Sequence, residues 1–413
     1  MVRVCDSIMG SGKTESAISY MNEHADQKFI FITPYLNEAA RIKSSCPGLH
    51  FMEPSKKIAE YHFSKSRHTA ALIAEGRNVA TTHQAFRGYT RDMLGIIKDQ
   101  GYTLIVDENV EILEQFPIHA DDIKLALDAG YIKENNGVFS LGNVDYKGQA
   151  LKELLSMMRS RELIRIDDGD AKFFYWALPP ELITAFKDVF VLTYLFEGQS
   201  LHHLFEIYKI PYSYIGINRD VDGRFRFGEL PGYIPEYVHH LRDMLHIMDN
   251  KKLNSVGDDY YALSAGWYER GGEQVDQLKK NVYNCFRNIW GDIPVERRLW
   301  GTYNGAFSKI KGKGYTKGFL TFNAKATNAY RDRDALVYIS NVFMPVNERR
   351  FYRMHGIDAD QDIYALSVMI QWIWRSAIRD GSPVQLYIPS KRMRTILENW
   401  MDSFNTGGDA YER

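Results

Sequence analysis

Short apolar runs alternate with stretches of helical periodicity along the first two hundred residues. The apolar runs cover residues 1–5, 29–33, 78–82, 103–107 and 189–194. Amphipathic stretches, among them 15–23 and 37–44, lie between them. Continuous apolar runs separated by helices are typical of a parallel sheet that is covered on both faces. The pattern therefore predicts an α/β fold whose ligands collect at the carboxyl ends of the strands.

The periodicity loosens at about residues 115–188, which we interpret as an accessory insertion in the first domain. Residues 121–129 and 148–161 have helical patterns, whereas Asn-Asn-Gly at 135–137 and Asp-Asp-Gly-Asp at 167–170 are turn sequences. The sequence assigns this region no chemistry.

A second domain is predicted from residue 198, so that the two domains cover 1–197 and 198–413. Its predicted strands are 211–217, 335–339 and 384–388, and its predicted helices are 234–248 and 360–380. A chain of 413 residues is long for one domain and allows each of two domains its own core.

Composition and charge restrict the classes of protein to which this chain can belong. Hydrophobic residues make up 45% and charged residues 25% of the chain, as in globular proteins. The formal net charge of −1 gives no global attraction to nucleic acid, so such binding requires a local basic patch. The three cysteines lack metal-binding spacing, and no apolar run is long enough to span a bilayer. We expect a cytoplasmic monomer with no membrane partner.

A glycine-rich loop with the sequence Asp-Ser-Ile-Met-Gly-Ser-Gly-Lys-Thr follows the first apolar run at 6–14 and precedes a helical pattern. Such a loop turns backbone N–H groups around a polyphosphate, while its lysine reaches the β- and γ-phosphates. ATP is the expected cofactor, and its predicted ligands are Gly10, Ser11, Gly12, Lys13, Thr14 and Glu15. The alternative is a chance glycine turn. Since the loop lies so near residue 1, we expect the base to be recognised by residues that follow it.

The loop has Ser7 where the usual phosphate-loop pattern has its first glycine. In this it resembles motif I of superfamily 2 helicases, whose first position is commonly Ala or Ser. A second cluster, Asp107-Glu108, ends an apolar run and resembles the Asp-Glu box of that superfamily. Thr14 and Asp107 are predicted to hold Mg²⁺, and Glu108 to activate the attacking water. The alternative is a surface acidic pair.

Two weaker clusters resemble motifs Ia and Ib of these helicases. The first contains Thr33, Pro34, Tyr35 and Arg41, and the second contains Thr81, Thr82 and His83. The resemblance implies that they hold the phosphates of a single strand. Hydroxyls and helix N-termini suit this task because they bind backbone without reading bases. Ordinary turns and a helix cap are the alternative. The Thr-Tyr that ends the run at 189–194 stands where the family has motif III, of which only Thr193 keeps the chemistry.

The predicted helix 360–380 carries Gln371, Arg375 and Arg379, whose spacing of four and four puts them on one stripe. Such a stripe resembles motif VI, and it would act as an arginine finger on the γ-phosphate. It lacks the glycines of the family's motif and has one extra residue between the arginines. A solvated polar face is the alternative. The stretch 319–328 resembles motif V, and the resemblance places Thr327 and Asn328 near the nucleic acid.

Basic and aromatic residues crowd the region 297–333, which predicts a groove for a single strand. Lys311, Lys313 and Lys317 are its candidate phosphate ligands, and Trp300, Tyr303, Phe307, Tyr315 and Tyr330 are its candidate stacking rings. A solvated lysine-rich loop is the alternative.

In order and spacing these motifs resemble the small DEAD-like helicases of superfamily 2 that tailed bacteriophages encode. The resemblance implies two RecA-like domains and ATP-driven translocation on single-stranded nucleic acid, with DNA as the first candidate. It also implies host cytoplasm, a role in phage replication or recombination, and other replication proteins as candidate partners. A nucleic-acid-stimulated ATPase that remodels or clamps without unwinding remains an alternative, as does a phosphate-loop kinase.

Overall fold

The computed structural model describes residues 1–144, 146–169, 171–324 and 329–404. In chain order the strands are β1 Val2–Asp6, β2 Phe29–Thr33, β3 Val79–Thr82, β4 Thr103–Asp107, β5 Leu113–Phe116, β6 Ile132–Asn135, β7 Val138–Leu141, β8 Glu162–Asp168, β9 Ala171–Ala177, β10 Asp188–Thr193, β11 Tyr212–Tyr214, β12 Gly216–Arg219, β13 Phe225–Gly228, β14 Leu245–Ile247, β15 Arg298–Gly301, β16 Ala335–Tyr338 and β17 Val384–Tyr387.

The α-helices follow the same numbering. They are α1 Lys13–Glu23, α2 Leu36–Ser45, α3 Lys65–Ala74, α4 His83–Phe86, α5 Arg91–Gln100, α6 Ala120–Asp128, α7 Lys152–Met157, α8 Glu181–Thr184, α9 Ser200–Ile207, α10 Leu241–Met244, α11 Lys251–Asn254, α12 Ala265–Arg270, α13 Glu273–Asn284, α14 Phe307–Ile310, α15 Val346–Met354, α16 Gln361–Ile373 and α17 Lys391–Ser403. Among the residues described, no helix is both long and apolar enough to cross a bilayer.

The chain forms two units. The first consists of 1–7, 12–232 and 345–359, and the second of 8–11, 233–344 and the residues from 360 onward. The sequence predicted a boundary at 197–198, but the observed boundary lies at 232–233. The reason is that β11 pairs in parallel with β1 and so extends the first sheet beyond the predicted boundary.

The sheet of the first unit has the order β11–β1–β10–β4–β2–β3. All of its pairs are parallel, and β10 lies between β1 and β4. Every residue of β2 is buried, which explains why its run of apolar residues is uninterrupted. The carboxyl ends of β1, β10 and β4 consequently bring Asp6, Thr193 and Asp107 to the same edge of the sheet. The predicted α/β class with parallel sheets is confirmed.

The insertion is a small sheet with the order β5–β9–β8–β7–β6, in which all pairs are antiparallel. It covers 113–177, within two residues of the predicted start at 115 and eleven short of the predicted end at 188. Helices α6 and α7 supply Ile123, Ala126 and Leu154 to a core shared with Trp176. The turn sequence at 135–137 is confirmed as the connection of hairpin β6–β7. In the second turn sequence Gly169 has a φ of 59°, and Asp170 lies outside the described residues. The helical segment predicted for 148–161 is wrong in extent, because only Lys152–Met157 is α-helical.

The second unit has a sheet in the order β14–β17–β16–β15, again with parallel pairs. Two predicted helices are corrected here. The stretch 234–248 contains a 3₁₀ turn, the one-turn helix α10 and strand β14. The helix predicted for 360–380 ends at Ile373, and a separate 3₁₀ turn covers Ala377–Asp380. Ser376 between them has an extended backbone, with φ −95° and ψ −169°.

Candidate nucleotide site

The glycine loop leaves β1 at Asp6 and enters α1 at Lys13. Gly10 and Gly12 have φ values of 84° and 91°, in the left-handed region where a side chain would be strained. Ser11 donates its N–H to the Ile8 carbonyl at 3.3 Å and is buried. The two glycines therefore allow the tight turn that the sequence pattern predicts.

Lys13 is the first residue of α1, and its side chain lies within the loop. The ammonium donates to the Ser7 carbonyl. Burial lowers the pKa of Lys13, while the charges of Cys5, Asp6, Asp107 and Glu108 act in the opposite direction. The ammonium thus lies at the glycine loop, where a lysine can pair with the negative charge of a phosphate.

Asp107 ends β4 and faces the start of α1. Thr14 Oγ1 donates to Asp107 Oδ1 at 3.4 Å. Burial raises the pKa of Asp107 to about 7, and the neighbouring Glu108 and Glu38 charges add to that rise, whereas Lys13 and the Thr14 hydrogen bond oppose it. A hydroxyl and a carboxylate in contact are oxygen donors of the kind that Mg²⁺ prefers, so the residues fit this ion. The structure thus brings Lys13, Thr14 and Asp107 together.

Glu108 follows directly and has a positive φ of 65°, which is uncommon for a residue with a side chain. Its N–H donates to the Leu192 carbonyl of β10 at 2.9 Å. Strain of this kind persists only where the surrounding structure imposes it, and it concentrates at functional sites. The carbonyl of Asp107 is 2.8 Å from Nε2 of His83, which connects α4 to the same edge.

At this edge Thr193, which the sequence analysis places in the motif III-like run, is joined by two polar residues that it did not single out for chemistry, Gln199 and Asn109. Thr193 donates its hydroxyl to Gln199 Oε1 at 2.6 Å, and Gln199 donates to the Tyr194 carbonyl at 2.8 Å. Asn109 accepts a hydrogen bond from the Leu201 N–H at 3.3 Å. These bonds join the ends of β10 and β4 to the start of α9. Only the position of Asn109 directly after the Asp-Glu pair is visible in the sequence.

The residues predicted to hold a single strand in the first unit differ in accessibility. Thr33 and Thr81 are completely buried, and the Thr82 hydroxyl accepts from the Ala85 N–H as the N-cap of α4. The Thr33 and Thr81 hydroxyls are buried without a hydrogen-bond partner among the described residues, so in this structure they are not accessible to a strand, contrary to the prediction. The Thr82 hydroxyl caps a helix. His83 is also buried.

Other residues of the first cluster remain accessible. Tyr35 is exposed and Pro34 is half-buried at the start of α2. Arg41 forms ion pairs with Glu15 and, at 3.2 Å, with Glu38, so Glu15 of the predicted nucleotide ligands is tied to α2.

In the second unit the predicted arginine stripe is corrected. Gln371 belongs to α16, Arg375 follows its end with only 6% of its surface exposed, and Arg379 lies in the 3₁₀ turn, half-buried. The three side chains do not share one helix, and a solvated polar face is wrong for Arg375. The adjacent Trp374 indole donates to the Tyr237 hydroxyl at 3.1 Å.

The predicted basic and aromatic groove is also corrected. Trp300 and Tyr315 are core residues of the second unit and cannot stack on bases. Most arginines of this region are engaged, among them Arg297 with Asp334 and Arg331 with Asp380. Among the described residues of this region, the three predicted phosphate ligands are exposed, and we call them the lysine loop: Lys311, Lys313 and Lys317. Thr327 and Asn328 lie outside the described residues.

A further titratable cluster lies on α9. The ligand-capable atoms of His202, His203 and Glu206 lie within 4.8 Å of one another. His203 is 3% exposed, and its ring packs on Tyr352 with centroids 4.4 Å apart. Burial lowers the pKa of His203 to about 4, and the neighbouring His202 adds to the effect. This histidine is therefore neutral in the folded chain near pH 7.

Fold and site together define an α/β protein of two units, in which a glycine loop and an Asp-Glu pair lie at one edge of a parallel sheet. The chain is 37% identical over 413 residues to the SPbeta prophage-derived uncharacterized protein YonV of Bacillus subtilis (strain 168), covering 97% of this chain and 99% of that protein. Residues 239–401 also match the model of the YonV C-terminal Rossmann-like domain. The chain belongs to the YonV family. The prophage origin of this relative agrees with the bacteriophage type of the predicted resemblance.

Solved structures with a similar course of the chain are distant. S. tokodaii Xpd4 has a TM-score of 0.43 and 13% identity, covering 97% of this chain and 94% of that one. A structure titled XPD_APO has a TM-score of 0.41 and 10% identity, covering 96% and 95%. Similarity at this level does not establish a shared function.

Proposed function

We propose that this chain is a Mg²⁺-dependent ATP hydrolase of the helicase or translocase type. Its substrate is single-stranded or partly duplex nucleic acid, with DNA as the first candidate, in phage replication or recombination. The observation that carries the proposal is the hydrogen bond from Thr14 to Asp107 beside the buried Lys13. It joins the helix after the glycine loop to the acidic end of a neighbouring strand, as a nucleotide hydrolase requires.

Each residue of the site then has one task. The loop N–H groups and Lys13 bind the phosphates of ATP, and the N-terminus of α1 adds its positive dipole. Thr14 and Asp107 would hold Mg²⁺, and the bound ion would supply positive charge to neutralise that of the phosphates. Glu108 accepts a proton from the attacking water. Arg379 is the candidate arginine finger, because it is the more accessible of the two arginines.

The experiment is a steady-state ATPase assay of the full chain, with and without single-stranded DNA and RNA. Lys13→Ala should abolish hydrolysis, because it removes the cation that binds the β- and γ-phosphates. Lys124→Ala is a matched control, since Lys124 is an exposed lysine on α6 of the insertion. Hydrolysis by Lys13→Ala near the rate of the unmodified chain would contradict the proposal.

An unwinding assay on a labelled partial duplex then separates the two kinds of motor. ATP-dependent strand release supports a helicase. Hydrolysis that nucleic acid stimulates, without strand release, supports the remodelling or clamping ATPase instead.

A further inference from the structure

A hairpin that no motif predicts lies against helix α1 of the first unit. Strands β12 and β13 pair antiparallel, and the hairpin follows directly after β11 at the edge of the large sheet. Phe227 stacks on Phe190 of β10 with ring centroids 5.0 Å apart and an interplanar angle of 12°. Arg226 forms an ion pair with Glu23 near the end of α1 at 3.0 Å. These contacts fix the hairpin along the helix that begins at the glycine loop.

Phe225 is the hairpin residue that reaches the loop. A methyl group built on Gly12 would lie only 2.4 Å from Cγ and Cδ1 of the Phe225 ring. The ring therefore lies directly against the backbone where the loop becomes α1. Gly12 is required here twice, for its φ of 91° and for this close approach.

Arg219 stands opposite Phe225 in the register of the hairpin. Residues directly opposite on antiparallel strands project from the same face, and the Arg219 guanidinium lies over the Phe225 ring at 5.5 Å from its centroid. Arg219 is exposed and Phe225 is only half-buried, so solvent reaches this pair. Aromatic rings and guanidinium planes are the two kinds of surface on which nucleobases stack.

We propose that Phe225 and Arg219 form the base-binding subsite of the nucleotide site. The inference rests on the proposed function, because it assumes that the adjacent loop binds the phosphates. A nucleoside triphosphate has a charged end and an aromatic end, and the loop and the hairpin offer one matching surface to each. The pair binds the base by stacking, so the subsite accepts either purine and does not depend on one pattern of hydrogen bonds.

The test compares a ligand that has a base with one that has none. Calorimetry would measure the dissociation constants of Mg·ATP, Mg·GTP and inorganic tripolyphosphate for the full chain. Phe225→Leu keeps an apolar side chain against Gly12 but removes the ring, whereas the comparison variant Phe225→Tyr keeps an aromatic ring of the same size. Arg219→Ala removes the guanidinium and leaves the ring.

Phe225→Leu should weaken the binding of ATP and of GTP about tenfold or more, in line with the contribution of one stacked base. Tripolyphosphate affinity should stay within about twofold of the unmodified chain, and Phe225→Tyr should lose less nucleotide affinity than Phe225→Leu. Arg219→Ala should weaken the binding of both nucleotides but not the binding of tripolyphosphate.

Two results would overturn the inference and leave the proposed function intact. One is an equal loss of nucleotide and tripolyphosphate affinity in Phe225→Leu, which would show that the ring only shapes the loop. The other is a nucleotide affinity that is unchanged in both Phe225→Leu and Arg219→Ala. If the unmodified chain bound neither ATP nor tripolyphosphate, the proposed function itself would fail, and the subsite with it.

Discussion

Replacing His203 by Phe should reduce the loss of stability that the chain suffers at acid pH. The ring is buried against Tyr352, and the native-state pKa of about 4 lies below the ordinary 6.5. Glu206 is only 3.9 Å from Nδ1, but its carboxylate is 43% exposed and therefore screened, so burial outweighs its attraction. Between these two pKa values the unfolded chain binds the proton and the native chain does not. The histidine's effect is therefore absent above pH 6.5, and stability is lost as the pH falls toward 4.

The size of the effect follows from the two pKa values. Between pH 7 and pH 5 this linkage lowers the free energy of unfolding by about 2 kcal/mol, and by about 3 kcal/mol at pH 4. Urea unfolding of the unmodified chain and of His203→Phe, followed at several pH values, would measure the difference. Phe keeps an aromatic ring on Tyr352 and cannot titrate, so the two stability curves should diverge as the pH decreases. Parallel curves from pH 7 to pH 5 would refute the reasoning.

Three further predictions concern ATP turnover and single-strand binding. Glu108→Gln should bind Mg·ATP with nearly normal affinity but stop turnover, because an amide cannot accept the proton; loss of nucleotide binding in calorimetry would instead indicate a structural role. Arg379→Ala should reduce turnover about a thousandfold with little effect on ATP affinity, whereas Arg375→Ala should also lower the melting temperature, since Arg375 is buried. Normal turnover in Arg379→Ala would exclude an arginine finger there. Alanine at all three positions of the lysine loop should weaken single-strand binding equally for all sequences and flatten its salt dependence, and unchanged affinity at several salt concentrations would show a merely solvated surface.

The strands that carry the site could be predicted from the sequence. β2 and β4 have the predicted bounds, because a short uninterrupted apolar run between turns suits a buried parallel strand. The glycine loop also has the predicted turn, because its two glycines occupy left-handed positions. Both features are local, and local features are what a single sequence encodes most directly.

The end of α16 could not be predicted in the same way. Trp372, Ile373 and Trp374 continue the apolar pattern of the helix, so periodicity gives no signal that the helix stops. The chain nevertheless leaves the helix there, and Arg375 becomes buried. The spacing predicted that this arginine shares one helix face with Gln371 and Arg379. Packing against distant parts of the chain determines its position instead.

The positions of aromatic residues in the sequence did not indicate which rings lie near the binding surfaces. Two predicted stacking rings are buried, and one ring beside the glycine loop was not predicted. Trp300 and Tyr315 lie among basic residues in the sequence, yet they point into the core, where large rings contribute most to burial. Phe225 belongs to no motif, yet its ring touches the glycine loop through a contact between residues far apart in the chain. The direction in which a ring points is set by the packing of distant parts of the chain, and the neighbouring residues in the sequence do not determine it.

The electrostatics of the site explain why its two halves depend on each other. The same burial raises the pKa of Asp107 and lowers the pKa of Lys13, so each group is pushed toward its neutral form. Each also favours the charged form of the other, because opposite charges attract more strongly where water is excluded. A phosphate beside Lys13 would favour the ammonium, and a cation beside Asp107 would favour the carboxylate. Under the proposed function, Mg²⁺ and ATP therefore bind better together than either does alone, which is the behaviour expected of a site that handles the two as one complex.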